Sequence, residues 1–225
     1  MADQALAARY HEVRARIEAA CGQAGRSVDD ITLVVVTKFH PPSLVRDLVE
    51  LGVEHVGESR HQEAVAKHQE LSDLRLTWHF VGQLQSNKAR AVAEYCQVIH
   101  SIDRASVVQK LGTIDHTVEG FIEINLTGDP GRGGVEPEQL GQLVDTVLET
   151  PQIALRGLMA VAPQDQAPAA AFERVVALQD VVTSRAPLAT DLSLGMTGDF
   201  EEAIQAGATH LRIGSAITGN RPPAP

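Results

Sequence analysis

The sequence predicts a single-domain (β/α)8 barrel, an α/β fold spanning residues 1–225, with an extra helix ahead of the first strand. Three observations predict it. Short apolar, β-branched runs occur eight times, each separated from the next by a segment with helical spacing of apolar residues. The 225 residues suit eight such units closed into one barrel. The strongest run, 31–37, is apolar on both faces, as a parallel strand covered by helices requires.

The first helix, 3–20, places Leu6, Tyr10, Val13 and Ile17 on one stripe, with Gly22 after it as a stop. Strand 31–37 ends on Lys38, just before Pro41 and Pro42. Those prolines open a helix whose apolar face is Leu44, Val45, Leu48 and Val49, closed by Gly52. Strand 53–56 is short and is followed by helix 60–70, strand 77–81, helix 85–95 and strand 97–100. Helix 104–111 and strand 118–125 come next, then a glycine-rich loop, TGDPGRGG, before helix 137–149 and strand 153–159. Helix 168–184, strand 190–194, a short helix 199–206 and strand 209–213 complete the series. The second and fourth strands carry the weakest pattern. The Ala/Pro-rich stretch 162–170 reads as a long βα loop, and 219–225 as a frayed tail.

Composition narrows the function. A net charge of −10 without a Lys/Arg cluster argues against nucleic acid as a partner. The amino terminus carries charges throughout and is not read as a signal peptide, and no apolar run approaches a membrane span. Cys21 and Cys96 stand in separate elements without metal-ligand spacing, so reduced thiols and a cytoplasmic protein are expected. The absence of an exposed apolar stripe predicts a monomer.

Ligands of parallel α/β folds bind at the carboxyl ends of the strands, where Lys38 stands. A lysine against apolar surroundings has its ammonium form disfavoured, and the neutral amine attacks aldehydes to give a Schiff base. The alternative is a solvated lysine marking a strand end. After the seventh strand comes GMTGDFEEA, in which Gly195 and Gly198 let the backbone approach an anion and Thr197 adds a hydroxyl. After the eighth comes RIGSAITG, with Gly214 and Ser215 at the exit. In barrels these are the two loops that hold phosphate. Arg212, on the last strand, needs either a ligand or an inward carboxylate such as Glu123 to hold its charge. Strand eight closes against strand one, so Arg212 and Lys38 are expected to face one cavity. A Schiff-base lysine, a phosphate cup and an arginine between them describe a site for pyridoxal 5'-phosphate (PLP).

The segments VVVTKFHP, VGES with QEA, WHFVGQLQSNK, HSIDR, RGLMA, LSLGMTGDFEEAI and RIGSAITG, in this order over nearly the whole chain, resemble the pyridoxal phosphate homeostasis protein family (YggS-like, PROSC-like). The resemblance implies a barrel of PLP fold-type III, similar to the amino-terminal domain of alanine racemase. It implies PLP held as a Schiff base on Lys38, phosphate on Met196, Thr197, Gly198, Gly214 and Ser215, and the pyridine nitrogen at Arg212. His79 is expected near the site. Where the family usually reads GEN this chain has Gly57-Glu58-Ser59, and Ser59 takes the asparagine's place. In the loop after strand five, Arg132 and Gly133 replace the family's frequent Lys-Ser.

The implied role is to carry or regulate the cellular PLP pool, with apo PLP-dependent enzymes as recipients. An arginine beside the pyridine nitrogen keeps that nitrogen unprotonated and makes the ring a weak electron sink. Tyr10 and Tyr95 fall on predicted helices outside the barrel. Glu58, Asp103 and Asn125 lie at strand exits without forming an evident acid/base pair. A weak PLP-dependent amino-acid racemase or decarboxylase is the alternative, and a cofactor-free Schiff-base aldolase acting on a sugar phosphate is a third reading.

Overall fold

A computed structural model describes residues 3–129 and 131–220. Eight parallel strands close into a barrel in sequence order, β1 (Thr32–Val36), β2 (His55–Glu58), β3 (Thr77–Phe80), β4 (Val98–Ile102), β5 (Val118–Ile124), β6 (Ile153–Ala160), β7 (Asp191–Ser193) and β8 (His210–Ile213). Closure is made by β1 against β8, with Thr32 opposite His210 and Val34 opposite Arg212.

Helices α1 (Gln4–Ala24), α2 (Pro42–Glu50), α3 (His61–Glu70), α4 (Ala89–Ala93), α5 (Ala105–Leu111), α6 (Leu140–Leu148), α7 (Pro168–Thr183) and α8 (Phe200–Gln205) surround it, and α9 (Ser215–Thr218) follows β8. Leu33, Val35, Trp78, Phe80, Ile122, Leu158 and Leu211 point outward into one large core shared with the helices. Val98, Phe121 and Met159 form a small separate cluster. Strand alternation therefore leaves much of the barrel interior to polar groups, among them His79, His100, Ser193, His210 and Arg212.

Differences from the sequence reading are local. The stripe of Leu6, Tyr10, Val13 and Ile17 is buried as expected. The helix nevertheless passes through Gly22 and stops at Gly25, whose left-handed φ of 67° closes it. β2 lies two residues further along than 53–56. Its outer Val56 is followed by Gly57, where a Cβ would sit 3.0 Å from Val34 and 3.3 Å from Val36, so only glycine fits that inward position. Predicted helices 85–95 and 137–149 each begin as a 3-10 turn, Ser86–Lys88 and Pro137–Gln139. Helix α9 follows the last strand without a counterpart in the sequence pattern. Most of the expected frayed tail, 221–225, lies outside the described residues. Both cysteines are buried and unbridged. No helix of the described residues is long and apolar enough to cross a membrane.

Candidate functional site

The carboxyl ends of β1, β7 and β8 bring three sequence-predicted groups together. Lys38 and Phe39 follow β1 directly. They share a pocket of about 190 Å³ with Val36, His40, Gly214 and Ser215. Lys38 is exposed there, with its Nζ 6.0 Å from the centre of the Phe39 ring, rather than enclosed by apolar groups as its strand suggests. Phe39 has a φ of 69°, the only positive value outside glycine among the described residues. Its N–H donates to Glu63 at 3.2 Å and its ring lies under Arg60, so the strained turn is fixed from α3 and the residue before it.

The loops after β7 and β8 meet edge to edge. Thr197 Oγ1 accepts from the Ala216 N–H at 3.3 Å and from the Ser215 hydroxyl at 3.4 Å. Gly195 holds a φ of 85° with Ala203 2.7 Å from where a Cβ would be, so the chain turns there only as glycine. Asp199 then accepts the Met196 N–H at 2.6 Å, shaping the loop rather than capping α8. The backbone N–H groups of Thr197 and Gly198 make no hydrogen bond among the described residues. Nothing lies within 4 Å of the place where a Cβ would stand on Gly198. Free donors beside an open glycine are the features an anion requires.

Arg212 is 4 % exposed and is held by two neutral acceptors, Ser193 Oγ at 2.5 Å and the Ala160 carbonyl at 2.9 Å. The alternative of an ion pair with an inward carboxylate such as Glu123 is not realised, since none of the ion pairs of the described residues includes Arg212. Burial lowers its pKa to about 10, with Glu123 and Asp199 pulling the other way from a distance. A buried guanidinium with donors to spare and no carboxylate in contact suits a ligand with a lone pair, such as a pyridine nitrogen.

His79 is 1 % exposed and has both ring nitrogens occupied, 2.9 Å from His55 and 2.9 Å from His100. It is therefore part of an internal chain and not a wall of the pocket beside Lys38. His100 Nδ1 reaches Ser193 Oγ at 2.8 Å, which joins the chain to Arg212. Its proton order follows from the ends. Arg212 can only donate, so the Ser193 proton has His100 as its remaining acceptor. His100 then donates to His79, and His79 to His55. Burial drives both His79 and His100 well below the ordinary imidazole pKa, which keeps the chain neutral. Among the described residues no grouping is arranged to ligate a metal.

Of the other strand-exit residues, Ser59 is half-buried and packs its backbone against Gly82. Asn125 organises its own loop, donating to the Asp129 carbonyl and Glu136 and accepting from Thr127. Arg132 and Gly133 line a separate pocket with Glu123 and Gln83. Tyr10 and Tyr95 are buried in the outer core. Glu58 makes an ion pair with Lys67 that the sequence reading missed. The lysine sits within HQEAVAKHQE, which reads as an ordinary solvated helix face.

The sequence profile described as alanine racemase, N-terminal domain, matches residues 7–222. The chain is 36 % identical over 222 residues to the pyridoxal phosphate homeostasis protein of Pseudomonas aeruginosa, covering 96 % of each chain. It is 38 % identical over 221 residues to that of Aquifex aeolicus, covering 95 % of this chain and 97 % of the relative. PipY of Synechococcus elongatus, solved with PLP bound, superposes with a TM-score of 0.82 at 31 % identity, over 95 % of this chain and 100 % of PipY. Alanine racemase of Corynebacterium glutamicum shares the fold, with a TM-score of 0.67 at 15 % identity, over 94 % of this chain and 60 % of the racemase. The barrel, its strand-end loops and these likenesses together place the chain in the alanine racemase N-terminal domain family, among the pyridoxal phosphate homeostasis proteins.

Proposed function

We propose that the protein binds PLP covalently through Lys38 and serves the intracellular supply of that cofactor as a carrier or regulator. The observation that carries this reading is the single pocket in which Lys38 meets Gly214 and Ser215. The names of the relatives and the PLP-bound structure of PipY support it. In this reading the free N–H groups of Thr197 and Gly198, with Ser215, hold the phosphate, and Met196 borders it. Arg212 faces the pyridine nitrogen, and Ser59 borders the ring. His79 contributes from below through the chain to Arg212. The cofactor supplies an aldehyde that a lysine amine can capture.

The whole chain acts as one domain and as a monomer in the cytoplasm, and apo PLP-dependent enzymes are the recipients. A dedicated racemase or decarboxylase needs a second acid/base group near the amine. Tyr10 and Tyr95 lie in the outer core, and Glu58 is already paired with Lys67.

The test is borohydride reduction of the protein mixed with PLP, followed by peptide mapping. The label is expected on Lys38 and absent from Lys38→Ala. A label on Lys67, Lys88 or Lys110, or none, overturns the proposal. Proton exchange at the α-carbon of amino acids that disappears in Lys38→Ala would instead favour an enzyme.

A further inference from the structure

Directly behind Lys38 lies a buried cluster that no part of the proposed chemistry uses. Lys67, on α3, is 4 % exposed and its Nζ donates to the carbonyl of Thr37 at 2.8 Å. The same Nζ reaches Glu58 Oε1 at 2.5 Å. Glu58, at the end of β2, is 0 % exposed and also accepts from the Thr37 hydroxyl at 2.8 Å. The Thr37 carbonyl belongs to the peptide that carries the nitrogen of Lys38. Four polar groups thus meet at the one residue joining β1 to Lys38, and the next N–H, of Phe39, is held by Glu63 from the same helix. A strand end needs no buried ammonium to stop. A strained turn that must present one side chain in a fixed direction does.

The geometry points to Lys67 as a positioning residue for Lys38: its ammonium, locked by Glu58, grips the Thr37 carbonyl and sets the direction from which the Lys38 amine meets an aldehyde. This rests on the Lys38 reading above. Attachment forms a bond between that amine nitrogen and the aldehyde carbon, and the carbonyl oxygen departs as water with the two amine protons. Its rate and equilibrium depend on approach direction. The phosphate loops and Arg212 belong to other elements, and among the described residues no hydrogen bond or ion pair joins them to Lys67.

Two ligands separate positioning from general support. PLP has the aldehyde, whereas pyridoxine 5'-phosphate carries the same ring and phosphate with an alcohol in its place and binds without attachment. The variants are Lys67→Met and the double variant Lys67→Met/Glu58→Gln. The double variant removes both charges and so avoids a lone buried carboxylate. Each is checked for folding by circular dichroism and chemical denaturation. Expected is a loss of PLP affinity and of attachment rate of roughly tenfold or more, with pyridoxine 5'-phosphate affinity kept within about threefold. Equal losses for both ligands would make the cluster a support of the whole site and overturn the inference, as would no loss for PLP. Absence of a Lys38 label in the unmodified protein would instead remove the Lys38 reading itself.

Discussion

Two corners of the barrel mouth bury charge in opposite ways. At the β1–β2–α3 corner, Glu58 and Lys67 neutralise each other and share Thr37. Burial pushes the Glu58 carboxyl up, and Lys67 opposes it. Across the mouth, Arg212 has only neutral acceptors, and Glu123 makes no ion pair among the described residues. Each of Glu58 and Glu123 keeps one enclosed oxygen without a hydrogen-bond partner, so the ion pair is what separates the two corners. A charge closed within the fold serves the fold. A charge left open at the ligand-bearing end of a barrel is held ready for something else, and its desolvation is a cost carried until a ligand offsets it.

That contrast fails if both corners respond alike to mutation. Removing half of the closed pair leaves the other ion buried and alone, so Lys67→Ala is expected to destabilise the fold by about 3–5 kcal/mol. Arg212→Met deletes a cation that had no counter-ion in contact, and its loss of stability is expected near roughly 1 kcal/mol, from two weakened acceptors. Its PLP retention should nonetheless collapse. Chemical denaturation of both variants without ligand decides the matter. Equal losses would mean that Arg212 is as structural as Lys67.

Legibility from sequence follows the same line. Lys38, Arg212 and the two glycine loops could be found because each breaks a local pattern. A lysine ends an apolar run, an arginine sits inside a strand, and glycines cluster at two strand exits. Lys67 breaks none, since the neighbours in its helix are mostly polar and its burial comes from the distant ends of β1 and β2. Ser193 and His100 escaped for a related reason. One short polar residue in DLS and one histidine in VIHSI show period-2 placement at most, and only barrel closure brings β4 and β7 to opposite ends of one hydrogen bond. The barrel itself was readable because it rests on local alternation of apolar runs. The sequence pattern puts β2 two residues early because its inward glycine, required by Val34 and Val36, looks like a strand end.

Glu123 sharpens the comparison through pH. Burial first, and the nearby Asp103 carboxylate second, raise its pKa from the ordinary 4.5 to about 7, against weaker pulls from Arg212 and Arg104. The unfolded chain ionises this group near 4.5 and the folded one near 7, so the folded state binds the extra proton between those values. The stability it contributes is therefore whole below 4.5 and lost as pH rises through about 7. Glu123→Gln removes the titration. At pH 8 the variant is expected to be more stable than the parent by up to about 3 kcal/mol, and at pH 4 equal to it. Urea denaturation at the two pH values measures the difference. A variant less stable at pH 8 would show that the ionised carboxylate has a partner in the fold, and the open corner would then be closed as well.

The last prediction tests how Arg212 is held. Ser193 is completely buried, and among the described residues its hydroxyl has two neighbours, the Arg212 guanidinium and His100 Nδ1. Ser193→Ala leaves one guanidinium donor without its acceptor and His100 without its donor, at a cost of about 2 kcal/mol or less. Stability alone would not distinguish this from any lost buried hydroxyl, but ring protonation does. With serine in place, His55, His79 and His100 should each carry their proton on Nε2, because every Nδ1 accepts from the preceding member. Without it, nothing fixes the direction, and the Nδ1-protonated form becomes accessible along the row. Nitrogen chemical shifts of labelled histidine read the two forms directly. If all three rings carry the proton on Nδ1 in the unmodified protein, the hydrogen bonds run towards Arg212 instead of away from it, and Ser193 would then receive two donors while its own proton went unmatched in a dry interior.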